Sequence, residues 1–349
     1  MQGILRTDFM VVGAGALGLA SAEALLKQGA SVAVLERGAV GQESSWAGGG
    51  ILSPLCPWDY PDVVTQLTSR GAALFGTWAA ELYQSTGIDP EYQASGMLVL
   101  PPFDRQAALQ WCHAHGMRAE AVEGGLLLPE VAQVRNPRLL QAQRARVEQL
   151  GGHIVEQCEV KAIVAEAGCV KHVVTRRGEL GAERYIVTAG AWSKQVLGEQ
   201  ASQLGIKPIR GQMLLFKFDA PPLPHIVLHQ GMYLIPRRDG NLLVGSTLED
   251  VGFDKSTTAE VREMLLQRAL ELLPALRDMP VIKHWAGLRP GSPDNIPTIG
   301  RHPVLENLYI NSGHFRYGVT MASASVEVLL NEINGLPQTF DVTSYKWKT

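Results

Sequence analysis

The chain has 349 residues, 46% of them hydrophobic and 19% charged, with a net charge of −3 at pH 7. That length accommodates one large domain or two medium ones, and the composition is that of a globular chain with a sizeable core. The slightly acidic balance leaves no electrostatic footprint for nucleic acid or an anionic membrane surface. Four cysteines (Cys56, Cys112, Cys158 and Cys169) lie scattered without CxxC spacing, which suits a reducing compartment better than a disulfide framework. No apolar run reaches the ~18 residues of a membrane span and no signal-like segment opens the chain, so a cytoplasmic location is expected.

Residues 8–36, DFMVVGAGALGLASAEALLKQGASVAVLE, predict strand, glycine turn, helix and strand. FMVV is a short apolar run suited to a strand buried on both faces. Gly13, Gly15 and Gly18 follow at GxGxxG spacing, and the helical pattern stops at Gly29. In a dinucleotide-binding unit, Gly13 permits the tight turn and Gly15 lets the backbone approach a pyrophosphate. Gly18 then allows the helix to pack against the strand. The amides at the helix start, around Ala16 and Leu17, face the phosphates. Glu36 lies 18 residues beyond Gly18, placed to accept hydrogen bonds from ribose hydroxyls.

The next segment starts at Arg37 and carries the hydroxyls Ser44 and Ser45, then small residues from Ala47 through Gly48, Gly49 and Gly50. Such a stretch can lie against a phosphate–ribityl chain and present backbone amides to it. A nicotinamide enzyme usually continues here with a third regular strand–helix unit, so a flavin dinucleotide is the better fit. Between residues 82 and 129 the pattern changes to shorter strands and loops. NPRLLQAQRARVEQLGGHIVEQCEV then predicts a helix and strand returning to the nucleotide unit. YIVTAGAWS predicts a strand running into a small-residue turn with Ala189, Gly190 and Trp192.

Residues 207–284 are rich in strand signals, with RDGN as a turn. An amphipathic helix opened by Thr257 or Thr258 follows. Together they predict an antiparallel sheet with helices on one side. The last chemical segment, NLYINSGHFRYGVTMASASVEVLLNEI, predicts a strand, a glycine turn and a helix. If that helix points its N-terminus back into the first unit, it stabilises negative charge on a reduced flavin. His113 and His115 form an isolated HxH without further ligand spacing, so no metal site is expected.

Six stretches occur in order: VVGAGALGLASAEALLKQGASVAVLER, SSWAGGGIL, VTAGAWS, YLIPRRDGNLLVGSTLED, HWAGLRPGSPDNIPTIGRHP and GHFRYGV. The ordered set resembles the D-amino-acid oxidase family of flavoproteins, and within it the glycine oxidases of the thiamine pathway, from about residue 8 to about 330. The resemblance implies a Rossmann-like α/β domain for FAD and an α+β, antiparallel-sheet domain for substrate. Both would be discontinuous: residues 1–80, 132–206 and 287–349 for FAD, and residues 81–131 and 207–286 for substrate. FAD is expected to be non-covalent, because no cysteine follows Cys169 to take up the covalent attachment seen in sarcosine-oxidase relatives.

Site roles follow from the same resemblance. Arg289 of the GLRP motif would bind the substrate carboxylate, with Tyr233 beside it and Arg316 near the substrate amine. Read without the resemblance, Arg289 fits a structural salt bridge about as well, and Tyr233 fits half-buried packing. Ile51 would form an apolar wall near the flavin ring, and the Val160 backbone would contact adenine. Gly287, His314, Phe315, Tyr317, Gly318, Val319 and Thr320 would surround the flavin. Tyr317 departs from the asparagine common in the family, and MASASVE departs from LAPAT.

The implied reaction is oxidative deamination of glycine, sarcosine or a small D-amino acid by hydride transfer to flavin N5, with no acid–base residue. Water would convert the imine to a 2-oxo acid and ammonia or an amine, and oxygen would accept the electrons as hydrogen peroxide. The glycine imine would feed thiazole synthesis for thiamine. A homo-oligomer is expected by analogy alone. Two alternatives remain open from the residues: a dehydrogenase passing electrons to a quinone or carrier, and a non-catalytic or RNA-modification-associated FAD-binding protein.

Overall fold

The apolar run near the start of the chain becomes the central strand of the first sheet. The computed structural model describes residues 7–201 and 203–348. In it Thr7–Val12 lies between Ala182–Val187 and Val32–Leu35, all three parallel. The full six-stranded order is Thr298–Arg301, Leu308–Ser312, Ala182–Val187, Thr7–Val12, Val32–Leu35 and His153–Val155. Thr298–Arg301 is the antiparallel strand at one edge.

Side chains alternate across that central strand, as a pleated strand requires. Phe9 and Val11 join Leu19, Leu25, Met321 and Val328 in a cluster beneath two helices, Ala16–Lys27 and Gly318–Ile333. Met10 and Val12 join Val160, Val173 and Leu197 on the opposite face. There the cover is a three-stranded antiparallel sheet of Val160–Glu166, Cys169–Thr175 and Gly178–Leu180. Both faces of the strand are therefore buried, which accounts for its unbroken apolar sequence.

The second sheet has eight strands, in the order Lys283–Gly291, Lys207–Lys217, Asn241–Gly245, Met232–Pro236, Ile226–His229, Met97–Leu100, Gly125–Leu128 and Glu120–Val122. It is antiparallel except where Ile226–His229 runs parallel to Met97–Leu100. RDGN forms the expected turn, with the Arg237 amide donating to the Asn241 carbonyl at 2.8 Å. Thr258, not Thr257, caps the helix Ala259–Leu272, its hydroxyl accepting from the Val261 amide at 3.4 Å.

Two expectations about the second sheet are corrected, its loop-only segment and its one-sided helices. Residues 82–129 are not only short strands and loops: Arg105–Ala114 is a helix, capped by Asp104 accepting from the Ala107 amide at 3.0 Å. It buries Ala108 and Cys112, one turn apart, in the cluster beneath one face of the eight-stranded sheet. The helix Ala259–Leu272 packs Leu265 and Ala269 into the cluster on the other face, so this sheet carries helices on both sides. The expected domain border between residues 286 and 287 falls inside Lys283–Gly291, which pairs with Lys207–Lys217 along its whole length. We propose the same two discontinuous units with that border moved beyond Gly291. Residues 1–6, 202 and 349 of the expected FAD unit lie outside the described residues.

The longest helix, Asp62–Thr86, buries Val64, Leu67, Gly71, Phe75, Ala79 and Leu82 at steps of three and four, the stripe of one helical face. At Gly71 it closes on the helix Gly318–Ile333, where an added Cβ would sit 2.0 Å from the Thr320 carbonyl oxygen. Gly71→Ala gains about 1 kcal/mol of helix propensity. Overpacking against fixed backbone costs about 1–3 kcal/mol. The clash should win, so the urea midpoint of unfolding should fall; an unchanged or higher midpoint would contradict this packing.

Candidate active site

A cleft of ≈ 360 Å³ opens between the ends of the parallel strands and the eight-stranded sheet. Its size is that of a small-molecule site, and its lining begins at the glycine turn. Gly13 has φ +111°, and a Cβ there would lie 2.7 Å from the Thr188 carbonyl oxygen. Gly15 starts the helix Ala16–Lys27 with no side-chain cap and no acid in the first turn, so the positive helix end faces the cleft unmasked. The Ala16 amide donates to Ser45 Oγ at 3.0 Å. Gly18 does not line the cleft; a Cβ there would lie 1.9 Å from the Gly13 carbonyl oxygen, so its role is close packing.

Glu36 braces the glycine turn. Its carboxylate accepts from the Ala14 amide at 2.9 Å and the Gly38 amide at 2.9 Å while lining the cleft. Arg37 lies 3.5 Å over the Trp192 ring and pairs with Glu43 at 2.5 Å. Val160, Ala189 and Gly190 complete this end.

In the middle of the cleft, the hydroxyl-rich segment is partly helical: Ser44–Ala47 makes one turn before Gly48, Gly49 and Gly50. Gly287 lies against it, since a Cβ there would sit 2.4 Å from Ala47 Cβ. The glycine run is held from the second sheet by Arg237, a buried guanidinium. It donates to the Gly49 carbonyl at 2.7 Å, the Val134 carbonyl at 2.9 Å and Gln133 Oε1 at 2.7 Å. Burial lowers its pKa to about 10.

Arg237 stands in the quoted sequence motif, but nothing there distinguishes a clamp from a surface arginine. Two asparagines also passed unnoticed. Asn136 donates to the Ser45 carbonyl at 2.7 Å, and its Oδ1 is buried without a protein partner. Asn311 is fully buried with neither amide atom paired. Both residues line the cleft.

At the far end, Arg289 and Tyr233 converge on Ser246. Arg289 Nη2 donates to Ser246 Oγ at 2.6 Å and Nη1 to the Thr247 carbonyl at 3.1 Å. The Tyr233 hydroxyl donates to Ser246 Oγ at 2.9 Å. The guanidinium occupies a groove left by Gly211 on the neighbouring strand, where a Cβ would sit 2.1 Å from Nη1. Among the described residues it has no carboxylate partner, which removes the salt-bridge alternative. Burial lowers its pKa, and the charge of Arg316 acts in the same direction.

Ile51 lines this end too, its carbonyl accepting from Thr320 Oγ1 at 3.1 Å. Phe315, Arg316, Tyr317, Gly318, Val319 and Thr320 line the cleft around the start of the helix Gly318–Ile333, whose first turn also has no acid. The Tyr317 ring sits edge-on to Tyr60, with centroids 5.1 Å apart.

His314 is buried beside this turn, with Nε2 2.8 Å from Ser325 Oγ. Burial pushes its pKa down to about 3, so it stays a neutral imidazole and takes up no second proton at working pH. The folded value lies below the unfolded value of 6.5, so stability tied to neutral His314 is complete above pH 6.5 and is lost as pH falls towards 3. His314→Gln removes the titration but keeps a polar side chain. Its unfolding free energy should fall less steeply than the parent's below about pH 6.5; equal slopes would show that His314 is not held neutral.

Residues 8–330 match the DAO family, FAD dependent oxidoreductase. The chain is 41% identical to a glycine oxidase from Pseudomonas aeruginosa, over 96% of this chain and 97% of that protein. It is 40% identical to a glycine oxidase from Pseudomonas putida, over 98% of each. The crystal structure of glycine oxidase from Geobacillus kaustophilus superposes with a TM-score of 0.91 at 25% identity, covering 98% of both chains. No helix among the described residues is long and apolar enough to cross a membrane.

The cleft fits FAD on its own geometry. A glycine cradle that Cβ atoms would fill adjoins an unmasked helix start, and a carboxylate sits at the end of the second strand. The unpaired amide atoms of Asn136 and Asn311 leave polar valences for a ligand. By sequence and by fold, the chain belongs to the DAO family of FAD dependent oxidoreductases, and FAD is its cofactor.

Proposed function

We propose that this chain oxidises glycine, or a similarly small amine-bearing acid such as sarcosine or a small D-amino acid, to an imine. Water then converts the imine to a 2-oxo acid and ammonia or an amine. Arg289 carries the reading: a guanidinium on the cleft wall, bonded to neutral oxygens and lacking an acid. A buried charge left without a partner costs several kcal/mol. A substrate carboxylate supplies that partner in bidentate form. The similar glycine oxidases support the choice of substrate.

In this reading the glycine turn, the start of the helix Ala16–Lys27 and Ser45 hold the pyrophosphate, Glu36 holds the ribose, and Gly48, Gly49, Gly50 and Ile51 flank the ring. When bound, FAD supplies the two-electron acceptor for the amine's α-carbon hydrogen. The protein's own part is placement. Arg289 orients the carboxylate while Tyr233, through Ser246, keeps the guanidinium aligned. Ile51 presents an apolar wall that excludes water from the reacting carbon.

The cleft-lining residues at this end include no carboxylate, and the histidine there is held neutral by burial. The substrate amine therefore gives up its proton to solvent before reaction, with no side-chain base. Dioxygen is the proposed terminal acceptor, yielding hydrogen peroxide, and the glycine imine suits thiazole synthesis in the thiamine pathway.

Arg289→Gln should lower kcat/KM for glycine by at least ~30-fold, about 2 kcal/mol, while the FAD content per chain stays that of the parent. Normal substrate use by this variant would make Arg289 structural and the site misassigned. Oxygen uptake with glycine should be matched by hydrogen peroxide. A flavin that glycine bleaches without air, and that air fails to restore, would assign the electrons to another acceptor.

A further inference from the structure

Arg289 rests on two oxygens of one short segment, Ser246 Oγ and the Thr247 carbonyl, so its direction depends on whatever fixes that segment. The segment follows the strand Asn241–Gly245. Ser246 lines the cleft, whereas Thr247 stands outside it. Thr247 presents its two oxygens to different partners. The carbonyl accepts from Arg289, while the hydroxyl accepts from the Gln212 amide at 2.9 Å and donates to Glu249 Oε1 at 2.5 Å.

Alternation along the strand Lys207–Lys217 separates those partners. Gly211 and Met213 face the cleft with Arg289, and Leu214 packs on the other face with the helix Ala259–Leu272. Arg210 and Gln212, on the same side as Leu214, hold Glu249 there. Arg210 donates to it from Nε at 3.2 Å and from Nη2 at 2.6 Å, and Gln212 Nε2 donates at 3.0 Å. The backbones of Arg210 and Glu249 also exchange two hydrogen bonds of 2.9 Å. Gln212 Oε1 accepts from the Thr258 amide at 3.0 Å, which ties the cluster to the start of that helix. Arg210 is buried, and its Nη1 pairs with Asp254 at 2.6 Å. Burial acts to raise the pKa of Glu249, but the donors around it bring it below the ordinary carboxylate value, so it stays ionised. Glu249 is thus committed to the far face of the sheet, and Thr247 joins it to Arg289.

We infer that Thr247 is a positioning residue for substrate binding: through its hydroxyl, the cluster of Arg210, Gln212 and Glu249 on the far face sets the Thr247 carbonyl, and with it the aim of the Arg289 fork. The inference rests on Arg289 holding the substrate carboxylate. Bidentate pairing needs two N–H groups aimed at once, so a shift of the supporting carbonyl weakens carboxylate binding without any change in the groups that touch the ligand. A side chain that acts only through Arg289 has nothing to act on once the guanidinium is removed.

Calorimetric titration of the FAD-loaded protein with glycolate, a small carboxylate without an amine, tests this. Thr247→Val keeps the side-chain shape and removes the hydroxyl, and it should weaken glycolate binding at least ~5-fold. Thr247→Ser should bind within ~2-fold of the parent, because the hydroxyl is restored. In an Arg289→Gln background, Thr247→Val should add less than ~2-fold. A threonine that is merely structural would lower the urea midpoint and leave glycolate affinity alone, which would overturn the inference. Equal losses in the two backgrounds, or no rescue by serine, would overturn it as well. If Thr247→Val does not load FAD, Glu249→Ala takes its place, with the same loss expected in the parent and the same lack of effect beside Arg289→Gln. If the parent does not bind glycolate, or Arg289→Gln binds it as the parent does, the carboxylate site itself fails, and this inference with it.

Discussion

A guanidinium keeps its proton at any working pH, so burying one obliges the protein to supply an anion or tolerate an uncompensated charge. Arg289 imposes that constraint on the cleft. Its donors are only partly used, by a hydroxyl and a carbonyl, and withdrawal from water, with the charge of Arg316, pushes its pKa down without neutralising it. The surroundings are built to hold this state. Gly211 leaves room for the planar fork, Ser246 and Tyr233 fix its tilt, and the partner strand Lys207–Lys217 holds its backbone along nine paired residues. A charge so positioned and left unmatched is chemically useful only if the missing anion arrives with a ligand.

The rest of the cleft is shaped by close backbone approach. Gly13 against Thr188, Gly50 against Val134 and Gly287 against Ala47 bring separate segments nearer than any side chain permits. Arg237 then crosses between the two sheets and ties Gly49 to Val134, so the cofactor wall and the substrate wall share one hydrogen-bonded brace. Because Arg237 spends its donors on buried carbonyls and an amide, it is a structural counterpart to Arg289 (both lack an acid, though Arg237 is fully buried and Arg289 only partly so). The difference is where the donors point: those of Arg237 are satisfied within the chain, and those of Arg289 border the open cleft.

Much of this was legible in the residues, and the reasons are local. The strand, glycine turn, helix and acid of residues 8–36 each follow from short-range rules, and the structure assembles them as expected. GLRP and GHFRYG also reach the same cleft, although 27 residues lie between Arg289 and Tyr317, an antiparallel edge strand among them; the motif order carried that placement. The roles of Arg237, Asn136 and Asn311 were not legible, because each depends on partners more than 80 residues distant or on the absence of any partner. The helix Asp62–Thr86 was missed for another reason. Its buried face has the right spacing, but Thr, Ser and Gly dilute the apolar stripe, so the pattern reads weakly until the packing against Thr320 is seen.

The most direct measurement is a crystal structure of the FAD-loaded protein with glycolate, which has glycine's carboxylate and a hydroxyl in place of its amine. The account predicts both carboxylate oxygens at about 2.7–2.9 Å from the Arg289 guanidinium, the range of a charge-assisted pair. Glycolate bound elsewhere in the cleft, with Arg289 still engaging only Ser246 and Thr247, would contradict it.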